Sequence, residues 1–354
     1  MTAAKKNNSR RKSAKFRRSR KKRIQKTILL VLLLIFLGGA GIGSIYLLRN
    51  GTLFGKLDEP YMASREFSGG ITGTDSLRAD GFAKKLCVVV SDVPMDGVSL
   101  GENQKGLLLD LDDRQVLYSK QALEKVYPAS ITKIMTAMLA LKYGNMDDVV
   151  TITQENLDLE SGSQVCGFWA GDQVTMDQLL HCLLVYSGND AASAIATHVG
   201  GSTEGFVEMM NSFAKELGCT GTHFTNPHGL QDENHYTTPY DIYLMLKEAL
   251  NYPEFTQITQ MGSYTVEYTH ADGSSASTTL TATDHYLTGE TGEATPPKNV
   301  TILGGKTGTT DNAGNCLALL SQNAYGKPYI SIVMGASTKD ELYQQMSSLL
   351  QNIN

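Results

Sequence analysis

Cysteine is scarce in this chain: five residues in 354, Cys87, Cys166, Cys182, Cys219 and Cys316, with no regular spacing. A low, odd count of this kind argues against a disulfide-built scaffold or a zinc ribbon. Cys182 sits within the apolar stretch Leu179–Val185 and Cys316 precedes Leu317-Ala318-Leu319, so both read as small buried apolar residues. One disulfide stays open, with no pairing assigned. None of the seven His stands in a His-Glu-x-x-His or comparable spacing, which disfavours a metallopeptidase. No metal or cofactor is expected. Arg does not occur after Arg114, and no acidic residue occurs before Asp58.

That second absence is matched by an excess. Residues 1–26 hold thirteen of the 31 Lys and Arg, and the uncharged run Thr27–Leu48 follows, 22 residues dense in Leu, Ile and Val. At about 1.5 Å of rise per residue, such a helix crosses a hydrocarbon core of ~30 Å. The basic flank stays in the cytoplasm and directs everything after Arg49 outward. The expectation is a cytoplasmic tail (1–26), a transmembrane signal anchor (27–48) and an extracytoplasmic remainder, a single-pass protein of the cell membrane. A cleaved signal peptide would have a shorter apolar core, roughly 7–15 residues, ahead of its small-x-small site. Here Gly39-Ala40-Gly41 and Gly43-Ser44 lie inside the apolar run.

The tail's charge suits topology and anionic lipid better than nucleic acid, and no nucleic-acid partner is expected. The net charge of −5 conceals the asymmetry: beyond the tail, 18 basic residues face 36 acidic ones. An acidic ectodomain argues against a polyanionic partner outside the cell.

Residues 49–84 hold Ser68-Gly69-Gly70 and Thr72-Gly73-Thr74 and lack long apolar runs, the composition of a linker. Residues 85–354 suit one large domain or two interleaved subdomains, without internal repeats. Short apolar runs predict strands at Leu86–Val90, Gly106–Leu111 and Gln115–Ser119, the last two joined by a turn at Asp112-Asp113-Arg114. Ile131, Ile134, Met135, Met138 and Leu139 predict a helix from Ser130 to about Tyr143 with one buried face, stopped by Gly144. Thr175-Met176-Asp177-Gln178 matches a capping box, and Asp190–Thr197 and Glu204–Leu217 continue the helical block. Strands return at Ser263–Tyr268, Thr301–Gly304, Cys316–Ser321 and Tyr329–Met334, before a last helix over Lys339–Leu350. Strands enclosing a helical middle predict an α+β fold: an antiparallel sheet flanked by helices, with a mainly helical subdomain beside it.

Three short strings carry the chemistry. In Ser130-Ile131-Thr132-Lys133, Pro128 stops a helix from starting earlier, so Ser130 stands in a first turn with free N–H groups. Lys133 lies one turn on, on the same face. A Ser hydroxyl attacks only when a neighbouring base takes its proton, and a Lys does so if burial or nearby positive charge lowers its pKa. In Ser187-Gly188-Asn189, between two helices, Ser187 is placed to relay a proton and Asn189 to hold a substrate amide and position Lys133. In Lys306-Thr307-Gly308, after a strand-like approach, Gly308 lets a ligand lie against the backbone and Lys306 offers a cation to a carboxylate. Each string alone is an ordinary N-cap, linker turn or edge turn; in this order and context they point to an acyl-transfer site.

The resemblance extends further. Lys120–Ala137, Leu179–Ala194, Phe206–Leu230 and Lys306–Leu317, including Ser-Gly-Asn followed by Asp-Ala-Ala and the run Asn226-Pro227-His228-Gly229-Leu230, resemble the serine-type D-alanyl-D-alanine carboxypeptidases, the low-molecular-mass penicillin-binding proteins. The resemblance covers roughly 85–345. It implies a β-lactamase/transpeptidase-like fold and an acyl-enzyme on Ser130 with Lys133 as base. It further implies a second motif of Ser187 and Asn189, and Lys306, Thr307 and Gly308 at the terminal D-Ala. The oxyanion hole would be the N–H groups of Ser130 and Thr309, with His228 and His235 ordering the adjacent loop. The implied partners are peptidoglycan stem peptides, with β-lactam antibiotics as covalent inhibitors.

There are departures from that family. The resemblance carries the expectation that the β-rich second domain and C-terminal amphipathic anchor of many members are missing, with the N-terminal span standing in for the anchor. Thr283-Asp284-His285 replaces an Asn-rich turn, Thr288–Lys298 reads as a loop insertion, and without a late Arg, Lys306 carries more of the carboxylate binding. A serine β-lactamase shares the three strings but needs a deacylating Glu in a Glu-x-x-Leu-Asn loop, which is missing between the second and third. A non-catalytic wall-binding or divisome scaffold would show degenerate strings, and these are intact.

Overall fold

The computed structural model describes residues 85–290 and 292–353. The chain separates into two units, Met1–Leu77 and Arg78–Asn354, and every described residue belongs to the second. The tail, span and linker expected over 1–84 lie outside the described residues. Among the described residues, no helix is long and apolar enough to cross a membrane.

The strands are β1 (Lys105–Asp110), β2 (Gln115–Lys120), β3 (Val149–Thr151), β4 (Gln173–Thr175), β5 (Ser263–Thr269), β6 (Ser275–Thr281), β7 (Thr301–Thr310), β8 (Gly314–Gln322) and β9 (Pro328–Ala336). The helices of the argument are α1 (Lys133–Tyr143), α2 (Met176–His181), α3 (Asn189–Gly200), α4 (Thr203–Leu217), α5 (Pro239–Ala249), α6 (Pro253–Thr259) and α7 (Lys339–Leu350). A 3₁₀ turn, Ala129–Thr132, leads into α1, and a π-helical turn, Cys182–Tyr186, continues α2.

β1, β2, β7, β8 and β9 form an antiparallel five-stranded sheet in the order β2-β1-β9-β8-β7. β1, β8 and β9 carry buried apolar runs because both faces of the sheet are covered there. Leu107, Leu109, Ala318, Leu320, Ile330 and Ile332 pack into the core that holds α1 and α5. Their neighbours Leu108, Leu317, Leu319 and Val333 turn to the opposite face, against Leu342, Tyr343, Met346 and Leu349 of α7. The strand period of two splits one apolar run between two cores.

The expected strand at Leu86–Val90 does not form. Two tyrosine hydroxyls of α5 take the backbone polar groups of Cys87: its N–H donates to Tyr243 Oη (2.9 Å), and Tyr240 O–H donates to its carbonyl (3.0 Å). Pairing resumes only at an isolated bridge between Val93 and Ser119. The run Ser263–Tyr268 is a strand, but in a second antiparallel sheet, β3-β4-β5-β6, on the helical side of the chain.

Helix α1 is also more deeply placed than its periodicity indicates: every residue from Ile131 to Ala140 is buried. The small residues Ala137 and Ala140 let neighbouring helices close around it, so α1 is the axis of the helical part rather than a surface helix. The capping box at Thr175 forms in both directions, with Gln178 N–H to Thr175 Oγ1 (3.2 Å) and Thr175 N–H to Gln178 Oε1 (3.0 Å). All five cysteines are free and buried.

Candidate active site

Ser130, Ser187, Asn189, Thr307, Gly308 and Thr309 line one cleft, and Lys133 and Lys306 stand behind it with exposures of 0% and 1%. Three separate parts of the chain meet here: the 3₁₀ turn before α1, the turn between α2 and α3, and β7. All eight residues singled out in the sequence are therefore brought together.

The serine turn is held in an unusual shape. Ala129 has a φ of +48°, a left-handed conformation that costs a non-glycine residue of order 1–2 kcal/mol. Its carbonyl accepts the Thr132 hydroxyl (2.8 Å), and Thr132 Oγ1 pairs with His235 Nε2 (2.8 Å). His235 Nδ1 accepts the Thr225 N–H (3.0 Å), which leaves the ring proton on Nε2 to donate to Thr132. Burial lowers the His235 pKa to about 4, so this neutral tautomer persists at ordinary pH. Gly229 presses on the same carbonyl: a Cβ there would come within 1.8 Å of Ala129 O.

Lys133 Nζ lies 3.0 Å from Ser130 Oγ, 2.6 Å from Asn189 Oδ1 and 2.9 Å from the His228 carbonyl. Burial, then the neighbouring Lys306 charge, hold its pKa well below the ordinary lysine value. A neutral amine has two N–H donors and one lone pair. Asn189 Oδ1 and the His228 carbonyl can only accept, so they take both protons and the lone pair is left facing the Ser130 hydroxyl. His228 contributes through its backbone; its ring accepts the Leu230 N–H (3.2 Å) and is driven to a pKa of about 3 by burial.

Ser187 occupies a second left-handed position, φ +70°, at the end of the π-helical turn. Strain of this kind at a short turn aims a side chain that a relaxed backbone would point elsewhere. Lys306 Nζ donates to Ser187 Oγ (2.9 Å) and to the Thr307 carbonyl (3.0 Å). With its oxygen already accepting, the Ser187 proton is free to be donated. β7 is an edge strand, and at Gly308 it runs against the serine turn, where a Cβ would stand 3.0 Å from both Ser130 N and Pro128 O. Only glycine lets the strand approach that closely.

Sequence reasoning passed over the cleft's far wall. Asp190, fully buried, accepts N–H bonds from Cys166 (2.8 Å) and Gly167 (3.2 Å), and Asn189 N–H donates to the Gln164 carbonyl (2.8 Å). The loop Glu160–Gly167 is thereby fastened beside Asn189. A signal was present, since an acidic residue in the first turn of a helix directly after a motif Asn seldom lacks a partner.

The family model described as D-alanyl-D-alanine carboxypeptidase matches residues 101–338. The chain belongs to that family. It is 36% identical over 254 residues to the D-alanyl-D-alanine carboxypeptidase DacF of Bacillus subtilis, covering 70% of this chain and 61% of that protein. DacC of Escherichia coli is 33% identical over 256 residues, covering 69% and 59%. The chain thus spans about three fifths of the length of these curated relatives. Among solved structures, the Streptomyces K15 DD-transpeptidase superposes with a TM-score of 0.63 at 29% identity, over 75% of this chain and 98% of that one. A D-alanyl-D-alanine carboxypeptidase of Mycobacterium tuberculosis gives 0.63 at 27%, over 74% and 95%. The carboxypeptidase family's DD-peptidase fold, antiparallel sheets with packed helices, is the architecture described above.

Proposed function

We propose that this protein is a serine D-alanyl-D-alanine carboxypeptidase that removes the terminal D-Ala from peptidoglycan stem peptides, and that β-lactams acylate the same serine. The observation that carries this reading is the fully buried Lys133 Nζ 3.0 Å from Ser130 Oγ, in a setting that lowers its pKa and so favours the neutral amine. Lys133 takes the hydroxyl proton as Ser130 Oγ attacks the carbonyl carbon of the scissile bond. The N–H groups of Ser130 and Thr309, the residue after Gly308, are the proposed oxyanion donors. Ser187 passes a proton to the departing D-Ala amine. Lys306, with Thr307, holds the carboxylate of that D-Ala, and Asn189 orients the peptide amide. Water then attacks the acyl-enzyme, with Lys133 again as base.

The test is a pair of peptides ending in D-Ala-D-Ala, one with a free C-terminus and one amidated. A charge-assisted bond to Lys306 stabilises the first by about 1.5–3 kcal/mol, so its kcat/KM is expected to be roughly 10- to 100-fold higher. Equal cleavage of both would replace the carboxypeptidase assignment with an endopeptidase or transpeptidase one.

The basic residues 1–26 and the apolar run Thr27–Leu48 support a single-pass anchor with the enzyme domain outside the cytoplasmic membrane. The full-length chain is expected to sediment with membranes, and external protease to remove the domain while sparing the tail. A mature protein starting near residue 45 would show a cleaved signal instead.

A further inference from the structure

Lys306 is buried beside a second lysine, and its polar contacts, Ser187 Oγ and the Thr307 carbonyl, are both uncharged. Holding a substrate carboxylate requires the ammonium form, which this setting opposes. The segment after β6 supplies what is missing. Thr283 N–H donates to the Val185 carbonyl (3.2 Å) and its hydroxyl pairs with Thr307 Oγ1, which sets Asp284 behind Lys306. The two side chains line one small cavity, closed by Val185, Thr259 and Ala282. Asp284 Oδ1 accepts the Tyr286 N–H (3.0 Å) and the Tyr343 hydroxyl (3.3 Å). Its buried Oδ2 has no hydrogen-bond partner. A bare carboxylate oxygen in the interior is costly unless a charge nearby compensates it.

We propose that Asp284 is the counter-charge of Lys306, a positioning residue that keeps the lysine an ammonium and so sets the preference for substrates with a free C-terminal carboxylate. The inference rests on the reading of Lys306 as the carboxylate anchor. Burial pulls Lys306 down to about 7 and pushes Asp284 up to about 6, and each charge works against the other's shift. The remaining titratable groups around the pair do not replace Asp284. Lys133, from α1, supplies no negative charge, and its own pKa is lowered by burial and by the Lys306 charge. Tyr286 and Tyr343 have hydroxyls pushed upward and stay neutral. His285 stacks on Tyr343 and pairs with the exposed Glu290 at 3.1 Å, with Lys339 beyond it. As pH rises through about 7, Lys306 loses its proton and carboxylate binding with it. Removing the Asp284 charge moves that loss to lower pH.

Asp284→Asn keeps an acceptor for Tyr286 N–H and Tyr343 and deletes only the charge. With the free-acid peptide, the alkaline limb of the kcat/KM profile is expected to move down by about one pH unit, through KM rather than kcat. The amidated peptide's profile should not move. If D284N melts below the assay temperature, Asp284→Ser, which also retains a cap acceptor, serves for the same comparison. An unmoved alkaline limb, or an equal loss with both peptides at every pH, overturns the role of Asp284. Failure of the unaltered protein to distinguish the two peptides would instead overturn the reading of Lys306.

Discussion

Ser130→Ala is expected to abolish covalent labelling by penicillin and to lower D-Ala release by at least about 10⁴-fold. The loss is that large because no other hydroxyl among the described residues stands in the same relation to Lys133, whose pKa is lowered by burial. Ser187 Oγ instead accepts from Lys306, the proposed carboxylate anchor, whose ammonium form has no lone pair to take the Ser187 proton. The change should leave the fold intact. Ser130 is only half-buried, and the left-handed Ala129 is held by Thr132, His235 and Gly229 rather than by the Ser130 hydroxyl. Mass spectrometry of the intact protein after penicillin treatment, with a melting curve beside it, reads both outcomes. An adduct that persists on the alanine variant would place the nucleophile elsewhere.

Lys133→Arg is expected to slow acylation by at least about 10²-fold, the low end for losing a positioned general base. A guanidinium keeps its proton, so it has no lone pair to offer Ser130 Oγ. Its planar fork also cannot reproduce the three directions in which Nζ meets Ser130, Asn189 and the His228 carbonyl. The variant keeps the positive charge, which makes it the decisive comparison. Near-normal acylation by a folded Arg variant would reduce Lys133 to an electrostatic role.

Much of the site was legible because its residue types are constrained by chemistry at short range. Ser130 and Lys133 sit one helical turn apart, and that spacing alone brings amine and hydroxyl together wherever the helix lies. Gly308 was read as a place for close backbone approach, and the approach is to Ser130 N and Pro128 O. Asp284 was visible only as a departure from an Asn-rich turn. Its significance depends on Lys306, 22 positions later, and on Val185, which fixes the segment from the other side. Nothing local announces a pairing of that kind.

The fold divides in the same way. Apolar runs located β1, β2, β8 and β9, and a capping box located the start of α2, because those signals act within a few residues. Leu86–Val90 has the apolar composition of a strand, yet two tyrosines more than 150 positions away claim its backbone. α1 has the periodicity of a half-buried helix and is buried all round as far as Ala140, since whether a polar face meets water is set by what packs there. By itself the sequence singled out the proposed nucleophile, its proposed base and the order of the three motif strings. Only the tertiary structure decided the lowered pKa of Lys133, the division of the strands into two sheets, and the meeting of Asp284 with Lys306 at one cavity. Burial and opposite charge from distant segments fix these, and neither has a local signature.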